Sequence, residues 1–307
     1  MSAKSKSLPE NFLHVRTYEK LKQYADAFAA GHLSLLGVFG SPGLGKSRFI
    51  RRALGDGVCW ISGNASPFGI YMLAYEHRDR PIVIDDIDDL YRDRVGIRLL
   101  KALCQTEREK TIRWETDCKT LERRGIKRSF TTSSHVVIIG NEWKSLNANV
   151  SALEDRGHCL LFDPSALEVH RQASEWFWDQ DVFDFIARHL HLIQCHSQRT
   201  YVRAWEQKKA GLAWREMVLG GCLKGAALEV AKLKADPRYA SEEDRVRAFE
   251  EAGHGKRATY FNHAAKLQPK QEVPQINLKH SSPPDSLEAM PDFRELLRQR
   301  FEQLGKG

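Results

Sequence analysis

The sequence predicts an α/β fold: a doubly wound parallel sheet followed by a smaller all-helical domain. In the first half of the chain, short apolar runs rich in β-branched residues alternate with helical segments, which is the pattern of βαβ units. A glycine-rich turn directly follows the first of these runs, at Gly40. After Pro164 only helical periodicity remains, so the sheet is expected to end there.

Composition limits the class of protein. The chain has 307 residues, 42% of them hydrophobic, and a net charge of +7, which excludes fibrous and wholly disordered proteins. No run approaches the ~20 apolar residues of a membrane-spanning helix, and the charged start lacks an apolar signal segment. The six scattered cysteines suit a reducing compartment. We therefore expect a cytoplasmic protein that has no membrane partner.

The elements of the first half follow in order. Residues 1–14 are predicted to be a flexible lead-in, and residues 15–164 the α/β core, which opens with a helix from Tyr18 to Ala30. Further helices are expected over the ranges 47–54 and 68–75. Strands are predicted over five short apolar runs, at residues 33–39, 58–61, 82–84, 135–139 and 159–162.

Helical patterns fill the second half. Residues 165–267 are predicted to form the helical domain, in which Ser241 with Asp244 is typical of a helix N-terminus. Residues 268–290 have the proline-rich composition of a linker. Residues 291–307 predict an amphipathic helix, which either packs on the protein's own body or binds a groove of a protein partner.

The glycine-rich turn matches the pattern G-x-x-x-x-G-K-[S/T] between a predicted strand and a predicted helix. In that setting the backbone N–H groups surround phosphates, the lysine neutralises their charge and the hydroxyl binds Mg²⁺. The motif therefore predicts ATP and Mg²⁺ as ligands. Its residues are Gly40, Ser41, Pro42, Gly43, Leu44, Gly45, Lys46 and Ser47.

Acidic residues end the strand at residues 82–84. We predict that Asp85 completes the Mg²⁺ site with Ser47, and that Asp86 polarises the attacking water. Asp88 and Asp89 lie a turn further on. For all of these acids the alternative is a helix N-cap or a solvated carboxylate, and this alternative is stronger for the three that follow Asp85.

These motifs resemble the AAA+ ATPase superfamily over roughly residues 15 to 235. Asn141, after the strand at 135–139, matches the residue called sensor 1, and Arg156 matches the arginine finger that reaches a neighbouring subunit's nucleotide. Arg199 matches the sensor 2 arginine of the helical lid, with Arg203 as its rival. The resemblance implies a homo-oligomer with shared ATP sites. Most members have Glu where this chain has Asp86, which leaves the hydrolysis rate open.

A basic stretch between residues 110 and 134 is the candidate for nucleic-acid binding, with Trp114 and Phe130 interleaved. The alternative is a solvated basic face beside a packed tryptophan. The cations are Lys110, Arg113, Lys119, Arg123, Arg124, Lys127 and Arg128.

Two other constellations are read as structural. The histidines near Cys195 fit no zinc spacing, and the aromatic residues of 176–185 are expected to pack in a core.

The predicted function is ATP hydrolysis that drives oligomer assembly and remodelling on DNA, as in helicase loaders and transposon target-selection ATPases. The alternatives are a protein-remodelling ATPase or assembly chaperone, and a slow nucleotide switch that recruits a protein partner.

Overall fold

A computed structural model describes residues 12–87, 90, 93–115, 119–141, 155–193, 196–268 and 274–282. The chain divides into two compact units, Met1–Pro164 and Ser165–Gly307, called unit 1 and unit 2 below. The division falls where the strand pattern of the sequence ends. In the described ranges no helix combines the length and the apolar character needed to cross a membrane.

Unit 1 is built on a six-stranded sheet in which every pair of neighbouring strands is parallel. The strands are β1 (Leu13–Val15), β2 (Leu35–Phe39), β3 (Cys59–Ser62), β4 (Ile82–Asp85), β7 (Val136–Gly140) and β8 (His158–Phe162). The order across the sheet is β1-β8-β2-β7-β4-β3. The helices are α1 (Tyr18–Ala29), α2 (Lys46–Leu54), α3 (Pro67–Glu76) and α4 (Arg94–Leu103). The predicted α/β class with a parallel sheet is confirmed.

The sheet is buried on both faces. In β2, Leu35 and Phe39 pack in a cluster that includes residues of α3 and α4, while Leu36 and Val38 point the other way along the alternating strand and are also fully buried. A strand buried on both faces needs a continuous apolar run, which is what the sequence shows here.

Strand β1 corrects the prediction of a flexible lead-in over residues 1–14. Leu13, His14 and Val15 pair in parallel with β8, and Phe12 is 7% exposed against the core. A three-residue edge strand carries too little periodicity to be recognised from sequence, because its pairing partner lies more than 140 residues further along the chain. Residues 1–11 lie outside the described ranges.

The basic stretch forms a small element of its own. Strands β5 (Lys110–Arg113) and β6 (Ser129–Thr132) pair antiparallel, and α5 (Lys119–Arg123) lies between them. Ile112 and Phe130 are buried and belong to the core of unit 1, whereas Thr111 and Arg113 are exposed. This alternation is a strand signal that the sequence contains.

The described residues of unit 2 are helical, apart from their connecting segments. The helices are α6 (Ala166–Ser174), α7 (Gln180–His189), α8 (Arg199–Lys209), α9 (Trp214–Gly220), α10 (Ala226–Ala235), α11 (Glu242–Glu251) and α12 (Arg257–Lys266), with a 3-10 turn at Leu190–Leu192. Helix α11 begins where predicted, because the Ser241 hydroxyl accepts a hydrogen bond from the Asp244 N–H at 3.1 Å.

An aromatic core holds the first helices of unit 2 together. Phe177 and Phe183 are fully buried, and the indole rings of Trp178 and Trp205 meet edge to face at 5.2 Å. Ile276 and Leu278 pack against the same core, so part of the predicted linker at 268–290 lies on unit 2. The predicted helix at 291–307 and the acids Asp88 and Asp89 lie outside the described residues.

Candidate functional site

The glycine-rich loop joins β2 to α2, and its glycines are required by the backbone. A Cβ on Gly40 would lie 2.2 Å from the Phe162 carbonyl oxygen, so no larger residue fits there. Gly43 and Gly45 have φ values of 81° and 78°, in the left-handed region that glycine favours. Helix α2 begins directly after Gly45, with no side chain capping its first turn. Its N–H groups and the positive end of its dipole are thus available to an anion.

Lys46 lies under this loop and is 5% exposed. Its ammonium donates to the carbonyl oxygens of Gly40 at 2.7 Å and Ser41 at 2.9 Å, and to Asn141 Oδ1 at 3.1 Å. These three neutral acceptors hold the ammonium in place. The arrangement presents a fixed positive charge beneath a loop of backbone amides.

Ser47 and Asp85 meet across the site. The Ser47 hydroxyl donates to Asp85 Oδ1 at 2.9 Å. Burial raises the pKa of the Asp85 carboxyl and the neighbouring Asp86 adds to the rise, while the Ser47 hydroxyl and the Lys46 charge oppose it. A hydroxyl and a carboxylate at this separation supply two hard oxygen ligands, which is the donor chemistry that Mg²⁺ prefers. The pair therefore fits the predicted metal.

Asp86 is the one non-glycine residue with positive φ, at 57°, in the described part of the chain. Its N–H donates to the Ile139 carbonyl at 3.0 Å, and one carboxylate oxygen accepts from Asn141 Nδ2 at 2.6 Å. A left-handed aspartate costs about 1 kcal/mol or more and persists only where its surroundings impose it. Here the backbone bond to β7 and the Asn141 amide fix the carboxylate at the exposed edge of the sheet.

Strand order explains why these residues meet. Strand β7 lies between β2 and β4, so Asn141 stands between Lys46 and Asp86 and bonds to both. After β2 the chain crosses to the far edge of the sheet and then returns to β7, while β8 lies on the other side of β2. Ligands of open α/β sheets bind outside the carboxyl ends of the strands at such a reversal of order. The sheet thus brings the predicted loop, metal and water-activating residues to one edge.

Arg156 lies in the turn before β8 and is half-buried. Its Nη1 donates to the Lys101 carbonyl at 2.6 Å, in the last turn of α4. A guanidinium is favourable there because carbonyls at a helix C-terminus lack partners and the helix dipole is negative. Within one chain, Arg156 therefore caps α4. The finger role toward a neighbouring subunit stays a prediction.

Arg199 is the first residue of α8 in unit 2, and its rival Arg203 lies one turn later. Both side chains are exposed. The Arg199 N–H donates to the Ser197 hydroxyl at 3.2 Å, at the start of the helix. The sensor 2 role of either arginine stays a prediction.

Two residues that support the site were missed. The Tyr18 hydroxyl donates to the Leu44 carbonyl at 2.9 Å and so fixes the glycine-rich loop to α1. The Arg51 guanidinium stacks on the Trp60 ring at 4.1 Å, and its positive charge opposes the rise in the pKa of Asp85. No spacing signals Tyr18. Arg51 lies one helical turn after Ser47, so its approach to the strand ends could have been expected.

The structure corrects the set of nucleic-acid candidates at one position. Lys110 is 2% exposed, and its ammonium donates to the Leu103 and Ser134 carbonyls at 2.9 and 2.8 Å, so it is not available to a phosphate. Burial lowers the pKa of its ammonium. The remaining cations are exposed: Arg113, Lys119, Arg123, Arg124, Lys127 and Arg128.

Comparison with known proteins gives little further information. No family model matches the chain. An alignment of 120 residues that covers 36% of this chain shows 28% identity to an uncharacterized 36.7 kDa protein from the nrdC-mobD intergenic region of Enterobacteria phage T4. The matched stretch covers 37% of that relative's length.

Proposed function

We propose that this protein binds ATP with Mg²⁺ in the glycine-rich loop and hydrolyses it. One observation carries the proposal: two sets of hydrogen-bonded residues lie at the carboxyl edge of a single sheet. Asn141 bonds to both Lys46 and Asp86, and Ser47 bonds to Asp85. They supply a buried cation, a pair of hard oxygen ligands and an oriented carboxylate, which are the groups that phosphoryl transfer needs.

The position of each residue at the site suggests its role. Loop amides and Lys46 would bind the β- and γ-phosphates, and Ser47 with Asp85 would hold Mg²⁺, which when bound neutralises charge on the phosphate oxygens. Asp86 would accept a proton as water oxygen bonds to the γ-phosphorus and the bond to the β–γ bridging oxygen breaks, giving ADP and phosphate. Asn141 orients that carboxylate through its 2.6 Å hydrogen bond.

The wider proposal follows the resemblance to AAA+ ATPases. In it, Arg156 of one subunit acts at a neighbour's nucleotide, Arg199 of unit 2 responds to the nucleotide, and hydrolysis drives assembly of a homo-oligomer on DNA. What supports the DNA part is the exposed basic surface around α5. A slow nucleotide switch is the second candidate, because Asp86 has a shorter side chain than the glutamate usual in that superfamily.

Binding and turnover, measured separately on the full chain, test the proposal. Lys46→Ala should weaken MgATP binding in calorimetry by about ten- to a hundredfold, which corresponds to the loss of one charged hydrogen bond. Asp86→Asn should keep binding but lower phosphate release by about 10²–10⁴-fold, as expected for loss of a general base. The exposed residues Lys20 and Asp56 provide matched controls, Lys20→Ala and Asp56→Asn.

Three results would contradict parts of this account. Unchanged binding by Lys46→Ala would refute the nucleotide site. Unchanged turnover by Asp86→Asn would refute the assignment of the base. If the wild-type protein binds MgATP but releases phosphate no faster than Lys46→Ala, the slow switch replaces the ATPase.

A further inference from the structure

The β5–α5–β6 element has a base and a tip. Lys110 faces Thr132 at the base, where the strands join the body of unit 1, and Arg113 faces Ser129 at the opposite end. Residues 119–128, called the tip segment below, connect the strands at that end and comprise α5 and the turn after it. The charges of the tip segment are thus displayed away from the base.

The inner side of the tip segment is apolar and fixed. Leu121 and Ile126 are 0% and 6% exposed and belong to the core of unit 1. The Lys127 carbonyl accepts a hydrogen bond from the Tyr71 hydroxyl at 2.7 Å, and the Tyr71 ring packs against Trp114 at 5.4 Å. The tip segment is therefore tied to α3 at Lys127 and anchored in the core by Leu121 and Ile126, so its outer surface is preorganised.

The outer side is strongly basic. The tip segment carries five cations and one acid, so its net charge is +4. The acid, Glu122, accepts from Arg128 at 3.0 Å. Within the described ranges, no carboxylate forms an ion pair with the four other cations, which are all exposed. These four are Lys119, Arg123, Arg124 and Lys127.

Among the described residues, few carboxylates beside the tip segment offset this charge, and in the sequence Asp117 also precedes α5. Helix α3, which packs against the tip segment, has Glu76 at its C-terminal end as its one charged residue. The exposed Glu115 precedes α5. Four like charges within ten residues repel one another at physiological salt and attract polyanions. The surface is therefore suited to a closely spaced row of negative charges.

In the described part of the chain, the aromatic rings near the tip segment are engaged in packing against other rings. Phe130 is 7% exposed, and the Trp114 ring packs between Phe68 and Tyr71, with centroid distances of 5.3 and 5.4 Å. Surfaces that bind single strands combine cations with aromatic platforms, whereas contacts to duplex DNA can rest on phosphates alone. Because Phe130 is buried and Trp114 is partly buried between packed rings, this surface favours a duplex over a single strand.

We propose that the tip segment binds the phosphate backbone of duplex DNA without reading its sequence. The proposal deepens the DNA part of the proposed function and rests on it, but it requires neither hydrolysis nor an intact nucleotide site. Each phosphate contact contributes about 0.9 to the slope of log affinity against log salt. Four cations should therefore account for a slope of about 3 to 4.

The test uses anisotropy of labelled duplex DNA of mixed sequence, titrated with the full chain at several salt concentrations. One variant neutralises the four cations (Lys119→Gln, Arg123→Gln, Arg124→Gln and Lys127→Gln). A matched control neutralises four exposed cations elsewhere (Lys20→Gln, Lys224→Gln, Arg247→Gln and Lys266→Gln). A charge-conserving variant exchanges lysine and arginine at the four tip positions. Single-stranded DNA and poly-glutamate serve as competing probes.

We expect the tip variant to lose at least about tenfold in affinity at moderate salt, and its salt slope to fall by about 3. The matched control and the charge-conserving variant should bind as the wild type does. Equal loss in the tip variant and the matched control would overturn the proposal, because net charge alone would then explain binding.

The proposal would also be overturned if the tip variant kept wild-type affinity, if the wild type bound no duplex, or if it preferred the single strand. Tip-dependent binding of poly-glutamate without DNA binding would assign the surface to an acidic protein. MgATP binding by the same preparations monitors the nucleotide site. Failure of this proposal is thereby distinguished from failure of the ATPase proposal.

Discussion

The buried His170 makes a quantitative prediction about stability. Its ring is 1% exposed, stacks on Phe183 with centroids 3.9 Å apart, and shares a 2.8 Å hydrogen bond with the Tyr201 hydroxyl. Burial lowers the pKa of this imidazole from 6.5 to about 4. Folded unit 2 therefore keeps the ring neutral over a pH range in which the unfolded chain protonates it. Tyr201 lies in the first turns of α8, so the helix that presents Arg199 depends on this contact.

Proton linkage gives the direction in which the stability of unit 2 changes with pH. Because the unfolded state binds more protons between pH 6.5 and about 4, stability is complete above that window and falls as the pH falls through it. At about 1.4 kcal/mol per pH unit, the window corresponds to about 3 kcal/mol. Below pH 4 both states are protonated and the contribution of His170 is lost.

The assay compares urea unfolding of the wild type and His170→Gln across this range. Tryptophan fluorescence reports mainly on unit 2, which contains four of the seven tryptophans. Carboxylates also titrate here, but they are common to both proteins, so the difference between the two unfolding free energies isolates His170. We expect that difference to change by about 3 kcal/mol between pH 7 and pH 4. The exposed His32, changed to Gln, is the control. Parallel pH profiles for the wild type and His170→Gln would refute the reasoning.

Three further predictions concern unit 1. Gly40→Ala should lower the free energy of unfolding by about 1–3 kcal/mol, because its Cβ would collide with a backbone carbonyl of β8. Gly57→Ala is the control, since a Cβ at Gly57 meets no atom within 4 Å and should leave stability unchanged. Equal effects of the two substitutions in urea unfolding would contradict this prediction. Arg156→Ala should lower the free energy of unfolding by about 0.5–1.5 kcal/mol, because it removes the donor to the Lys101 carbonyl. The same variant should keep MgATP binding but lower ATP turnover in the assembled state, and turnover at the wild-type rate would exclude the finger role. Because burial lowers the pKa of Lys110, wild-type stability should rise relative to Lys110→Met as pH increases toward 10.5, and a constant difference would show that the ammonium titrates normally.

Local features of this protein were predictable from sequence because they depend on neighbours along the chain. The apolar run of β2 and the glycines of the loop after it are fixed by burial and by backbone conformation, and both lie within a dozen residues. The N-cap at Ser241 is likewise local.

Other features could not be predicted from the sequence, because the residues that they contact are far away along the chain. The charge of Lys110 suggested an exposed residue, yet two carbonyl groups make its burial acceptable. The alternation of buried and exposed residues in β5 and β6 is present in the sequence. It is hard to recognise because Lys110 occupies an inward position at which an apolar residue is expected. Arg156 carries no local sign of its bond to α4, 55 residues earlier in the chain.

By itself, the sequence determined the α/β class, the glycine-rich loop and the residue types able to bind phosphate and Mg²⁺. Only the tertiary structure decided that β7 lies between β2 and β4, which lets Asn141 bond to both Lys46 and Asp86. It also decided which basic residues face outward and which aromatic residues are buried. The physical reason is that strand order and side-chain burial are set by contacts between segments far apart in the chain, whereas periodicity and turn chemistry act over a few residues.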